Sequence, residues 1–444
     1  MAASTYADIT RDTLAPLSRP RRSYWLVVFF LLFLVCLLFA AWGYQIATGV
    51  GVSGLGNPVG WGTYITTMVF WIGIGHAGTL ISAILFLLRA RWRTSIYRIS
   101  EATTIFALSA AGLFPLIHVG RVWVAWYLIP YPSGRELWPN FRSPLEWDVL
   151  AISTYLTISL IFFTIGLIPD MATLRDKSSG LKKRIYGLLA LGWTGSDRQW
   201  KHYTAGYLFF AALATPLVIS VHSVVSWDFA MSVLPGWHTT IFAPYFVAGA
   251  ILSGLAMVMT VVIPMRKILH LDHIITAGHL AAMAKLTILV SLIVGYAYAV
   301  EFFIAWYSGN EYEQTVFAYR PTGDYWWVFW TMVTCNALVP LLFFFRRFRR
   351  DLRLMFVIAL LINVGMWFER FNIIVTSLAR DFLPFAWGEY SMSWVEAAIL
   401  LGSFGLFFLL VVLFVKFLPA IAGTELKEAA APPLRAGQEG EGTQ

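Results

Sequence analysis

His118 and Arg121 stand three residues apart in Gly112-Leu-Phe-Pro-Leu-Ile-His118-Val-Gly-Arg121, inside an apolar run long enough to cross a bilayer. That spacing puts two side chains on one face of a helix. An arginine at the centre of a membrane helix costs roughly 2.5–3.5 kcal/mol on insertion scales, so ionisable groups there mark functional sites by default. Asp148 and Asp228 fall in later apolar runs at the same expected depth as His118. Together these types suit oxidation of a hydroquinone, which releases two electrons and two protons. A neutral imidazole can take one proton near neutral pH and a carboxylate the other, while an arginine tunes or orients them. His118, Asp148 and Asp228 are therefore the expected proton acceptors, with Arg121 beside them. Plainer roles compete. Ser143-Pro144-Leu145-Glu146 has the pattern of a helix-capping box, which makes Glu146 structural, and Asp148 one turn on can simply complement the helix dipole.

The elements that must position these groups are membrane helices. Of 444 residues 59% are hydrophobic and 13% charged, against about 45–50% and 25% in soluble domains. A spanning helix needs about 20 apolar residues. Ten runs meet that length: 24–44, 59–89, 98–129, 146–169, 203–229, 241–265, 275–307, 325–345, 353–377 and 392–418. The expected fold is all-α and integral to the membrane. Its segments are an N-terminal piece (1–23), a first peripheral helix (24–48), a four-helix bundle (57–230), a second (240–378), a last peripheral helix (391–419) and a disordered tail (420–444).

Basic residues orient it. Arg89, Arg91, Arg93 and Arg98 cluster between the second and third runs, seven Lys and Arg between Arg175 and Lys201, Arg266 and Lys267 after the sixth, and five Arg from Arg346 to Arg353. The alternate loops hold only Arg135, Arg142, Arg320 and Arg380. The positive-inside rule then places both termini in the cytoplasm, and Trp61, Trp138, Trp147, Trp237, Trp326 and Trp387 at the outer interface. Because the net charge of +8 sorts into alternate loops, it gives no sign of nucleic-acid binding. Cys36 and Cys335 are too few for an iron–sulfur cluster, and no Cys-x-x-Cys-His haem-attachment motif occurs.

Further ionisable groups lie along the runs. His76, in Gly73-Ile-Gly-His76-Ala-Gly78, sits mid-bilayer among small residues that let helices approach; it serves either as an inter-helix hydrogen bond or as a pocket residue. Glu101, Asp170, His222, Lys285, Glu301 and the adjacent Glu369 and Arg370 are candidates for a proton path through either bundle.

Several motifs together resemble the NrfD-like family, the membrane subunits of polysulfide reductases. They are Asn57-Pro-Val-Gly-Trp-Gly62, Trp71-Ile-Gly-Ile-Gly-His76-Ala-Gly, Phe114-Pro-Leu-Ile-His118-Val-Gly-Arg121, Gly166-Leu-Ile-Pro-Asp170, His222-Ser-Val-Val-Ser-Trp227-Asp228 and Trp367-Phe-Glu369-Arg370-Phe-Asn372. Within that family the chain looks most like the quinol-binding membrane subunit of bacterial alternative complex III. The resemblance implies ten helices, with 2–5 and 6–9 as bundles, in the inner membrane of a bacterium. It also implies menaquinol held near the outer face by His118, Asp148 and Asp228, with no haem or cluster on this chain. The implied partners are a periplasmic iron–sulfur subunit, a multihaem cytochrome c subunit and a second NrfD-like membrane subunit. Two other classes stay open on the residues alone. A b-type dihaem cytochrome would use His76, His118 and His222 as axial ligands, and a secondary transporter would use Lys285, Glu301 and Glu369.

Overall fold

A computed structural model describes residues 6–17, 20–129 and 143–429. Ten helices among them are long and apolar enough to cross a membrane: α1 (Arg22–Thr48), α2 (Thr63–Leu87), α3 (Tyr97–His118), α4 (Pro144–Lys177), α5 (Asp197–Ala230), α6 (Phe242–Ile268), α7 (Ala277–Ser308), α8 (Trp326–Phe344), α9 (Leu352–Ala379) and α10 (Trp394–Phe417). The described residues contain no strand. Helices α2–α5 pack together, as do α6–α9, while α1 and α10 pack on each other at the periphery.

Helices α2 and α6 form the seam between the bundles and are the most enclosed of the ten, each 83% buried over its apolar window. Their glycines explain the approach. A Cβ on Gly254 would stand 2.4 Å from the Ala77 Cβ, and one on Gly73 would stand 3.2 Å from the Ser253 hydroxyl. Gly254→Val is therefore expected to force α2 and α6 apart, costing about 1–3 kcal/mol as overpacking does. Thermal unfolding of the purified protein in detergent measures it, and an unchanged midpoint would count against this seam. Helix α10 joins α2 through Trp71, whose Nε1 donates to the Ser403 hydroxyl at 3.0 Å while Phe404 and Phe407 pack against it at tilted angles, with centroids 4.9 Å away.

The structure departs from the sequence expectations in several places. The run 98–129 is not one helix: α3 stops at His118, the chain turns at Gly120 with φ +73, and Val122–Leu128 forms a tighter helical turn. Arg121 therefore lies beyond the helix, exposed, and not on one face with His118. Residues after Leu418 are not all disordered, since Gly423–Ala429 is a helix seated on the first bundle. Tyr6–Leu14 is also helical. Ser143 does occupy the N-cap of α4, with Pro144 following, but its hydroxyl makes no capping bond. Trp326 and Trp387 are exposed as an interfacial belt requires, whereas Trp237 is buried and donates to the Ile373 carbonyl at 2.7 Å. Arg19, Trp138, Arg135, Arg142 and the tail from 430 on lie outside the described residues.

Candidate functional site

The first turn of α4 and the last turn of α5 meet at the side away from the basic loops. Trp147 and Trp227 pack edge to face there, with centroids 6.1 Å apart. The residue following each is an aspartate, so Asp148 and Asp228 are carried to the same level and their carboxyls adjoin. Asp148 is 2% exposed. Both of its oxygens, and Oδ1 of Asp228, are enclosed with no donor from any other described residue, so each carboxyl has only the other as a hydrogen-bonding neighbour. Two enclosed carboxyls side by side cannot both be ionised without a large cost, so the pair holds a shared proton or a donor from outside. Glu146, two residues before Asp148, is buried as well.

His118 ends α3 with its Nδ1 enclosed and unbonded. Among the described residues neither His118 nor Arg121 forms a hydrogen bond or ion pair with Asp148 or Asp228. The structure thus joins the two aspartates, keeps His118 at a helix end with a free ring nitrogen, and leaves Arg121 outside.

A second polar group sits at the bundle seam. His76 on α2 and His222 on α5 meet edge to face, with ring centroids 4.5 Å apart. Nδ1 of His76 bonds to the Ile72 carbonyl at 2.9 Å, while its Nε2 and both His222 nitrogens are enclosed and unbonded. His76 also faces Tyr155 at 5.6 Å, whose hydroxyl bonds to Thr79 at 2.7 Å. On its other side His222 faces Phe246 at 5.8 Å, and the Arg370 guanidinium lies 4.4 Å from the centre of that ring.

The second bundle holds the rest. Arg370 pairs with Glu369 at 2.9 Å, and the other Glu369 oxygen accepts from the Tyr298 hydroxyl and from Asn336 Nδ2 at 3.3 Å. Glu301 pairs with Arg320 at 3.8 Å, both under 5% side-chain exposure. Arg320 reads in the sequence as a loop charge; the helix Glu311–Thr322 turns it inward to the Gly236 carbonyl at 3.1 Å. Lys285 points out of the bundle and forms no ion pair among the described residues, so it does not join these groups. At the basic end of the first bundle Arg98 binds Asp170 at 3.2 Å and the Gly166 carbonyl at 2.6 Å, and Tyr207 donates to Glu101 at 3.4 Å. Arg98, Tyr298 and Asn336 are participants that sequence reading missed. Arg98 stands among the loop arginines, and nothing in their local patterns sets the other two apart.

Three curated proteins are similar to this chain along much of its length. One, of Halobacterium salinarum, is named for a dimethyl sulfoxide reductase membrane subunit and is 25% identical, over 89% of this chain and 91% of its own. A selenate reductase subunit of Mesobacillus selenatarsenatis is 23% identical, over 64% and 66%. The Hdr-like menaquinol oxidoreductase integral membrane subunit of Archaeoglobus fulgidus is 21% identical, over 77% and 78%. The family model described as polysulphide reductase, NrfD, matches residues 51–380, well over half of the sequence and both four-helix bundles, and the chain therefore belongs to that family.

Proposed function

We propose that this chain is the quinol-oxidising membrane subunit of an oxidoreductase complex of the alternative complex III type. The observation that carries the reading is the enclosed Asp148–Asp228 pair, two adjoining carboxyls with no other described residue donating to the oxygens of Asp148, at the membrane end opposite the basic loops. A hydroquinone arriving from the lipid supplies the two hydroxyl groups that such a site needs. One quinol becomes one quinone, two protons and two electrons. The protons pass to His118 and the aspartates and leave on the outer side, and the electrons pass to an iron–sulfur partner subunit. Menaquinol is the expected quinol, and the family relative named a menaquinol oxidoreductase subunit supports it. Further partners in this reading are a multihaem cytochrome c subunit and a second NrfD-like membrane subunit, in the inner membrane of a bacterium with both termini cytoplasmic. Proton passage between the faces is proposed through either bundle, by Glu101, Asp170 and His222 in the first or Glu301, Glu369 and Arg370 in the second; Lys285 and Arg121 are exposed and outside both sets.

His118→Ala is expected to lower quinol-dependent electron transfer by about 10²-fold or more, within the range of lost general-base catalysis. The measurement is steady-state oxidation of a soluble quinol by the purified complex, alongside identification of the polypeptides it contains. Unchanged turnover in an intact complex would remove His118 from the site. Purification without any iron–sulfur partner would remove the complex from the proposal.

A further inference from the structure

On the basic side residues 418–429 fold back over the first bundle, and the helix Tyr6–Leu14 packs on them. After α10 the chain continues through Leu418 in extended conformation and then forms the helix Gly423–Ala429. The Thr424 backbone N–H and hydroxyl both donate to Asp170 Oδ1, at 3.1 and 2.9 Å. Asp170 Oδ2 is the oxygen that Arg98 holds. One residue further, Glu425 pairs with Arg93 at 3.0 Å, the two side chains 12% and 5% exposed. The Arg93 guanidinium lies over Phe86 and Tyr97, at 4.5 and 4.9 Å, and donates to the Ser82 carbonyl at 3.2 Å. Ala420, Ile421, Ala422 and Leu426 are almost fully buried.

The N-terminal helix clamps this segment from outside. Gly423 is pressed against it so closely that a Cβ there would stand 2.9 Å from the Thr13 hydroxyl. Asp12 of the same helix binds His273, in the loop between α6 and α7, at 2.6 Å, and Lys416 donates to the Pro16 carbonyl at 3.2 Å. Beneath the cover Arg98 Nε and Nη1 and Glu101 Oε2 are enclosed without a hydrogen bond. These are strongly hydrated groups when water reaches them. What keeps them dry is a short stretch outside the bundle, held chiefly by two bonds to Asp170, one ion pair and four small or medium apolar side chains.

We propose that residues 419–429 are a hinged cover, closed in this structure, which must lift for water and protons to pass between the basic side and the buried Asp170–Arg98–Glu101 cluster. Thr424 holds the Asp170 carboxyl while the cover is shut, and Glu425 occupies Arg93. Short peripheral segments open locally at far lower cost than packed helices, so the cover moves without disturbing α3 or α4. Its hinge is Leu418-Pro419, where the helical hydrogen bonding of α10 ends.

Two measurements on the purified full-length protein, in its complex, test this. Hydrogen exchange read by mass spectrometry is expected to show amides 420–429 exchanging at least ~10-fold faster than those of α10 and α4. Modification by a water-soluble carbodiimide is expected to be slow at Asp170 and Glu101 in the native protein. In the variant combining Thr424→Val with Glu425→Gln it should rise at least ~10-fold, while exchange in α3 and α4 stays unchanged. Exchange of 420–429 as slow as that of α10 would overturn the cover, as would equal modification in native and variant protein. If the variant also loosens α3 and α4, the segment is a structural strut and the proposal fails. The readout is access to carboxyls and needs no quinol turnover, so it is independent of the Asp148–Asp228 reading.

Discussion

Asp148→Asn is expected to depress quinol-dependent turnover by about 10²–10⁴-fold, the span attributed to a positioned general base. The amide keeps the size of the carboxyl and can still meet a hydroxyl group, so the complex should assemble and quinol should still bind. What it loses is the ability to take a proton. The effect should therefore fall on kcat and on kcat/KM alike, the pattern of an interaction made only in the transition state. Asp228→Asn should cost less, because Asp228 is only partly buried while Asp148 is 2% exposed. Steady-state kinetics of the two purified variants against a soluble quinol, with the partner polypeptides quantified, decides the matter. Turnover of the Asp148 variant within a few fold of the native rate would show that the pair is structural.

Arg370→Leu should produce the largest loss of stability. Glu369 is fully buried and its ion-pair partner stands at 2.9 Å. Removing one member of a buried pair leaves an uncompensated charge and typically costs about 3–5 kcal/mol. Tyr298 and Asn336 would still bond to Glu369, but neither supplies a positive charge. The companion variant Glu369→Gln with Arg370→Met tests the cause, because replacing both members of such a pair is often close to neutral. Thermal unfolding of the native protein and both variants should place the single substitution far below the native protein and the double one near it. A double variant as unstable as the single would assign the loss to packing, including the contact of Arg370 with Phe246, instead of to charge.

Much of the architecture is legible because each spanning helix must carry its own run of apolar residues. All ten helices can be read this way, and the glycines at 73–78 and 249–254 lie on the two that are most enclosed. Boundaries are less legible where an apolar run contains a break that hydrophobicity does not register. Gly120 turns the chain after His118, yet the run from 98 to 129 reads as continuous. The start of the tail misleads for a related reason. Residues 420–429 have the small and charged composition of a disordered end, and only the buried Asp170 and Arg93 give them something to bind.

By itself the sequence determined that this chain lies in a membrane, how many times it crosses and which loops share a side. Those properties follow from local composition, since bilayer solvation acts on each segment separately. Tertiary structure decided which polar groups meet. Asp148 and Asp228, His76 and His222, Glu301 and Arg320 lie on different segments, many residues apart. Their encounters depend on helix rotation and packing, which equal hydrophobicity on all sides of a membrane helix leaves unspecified.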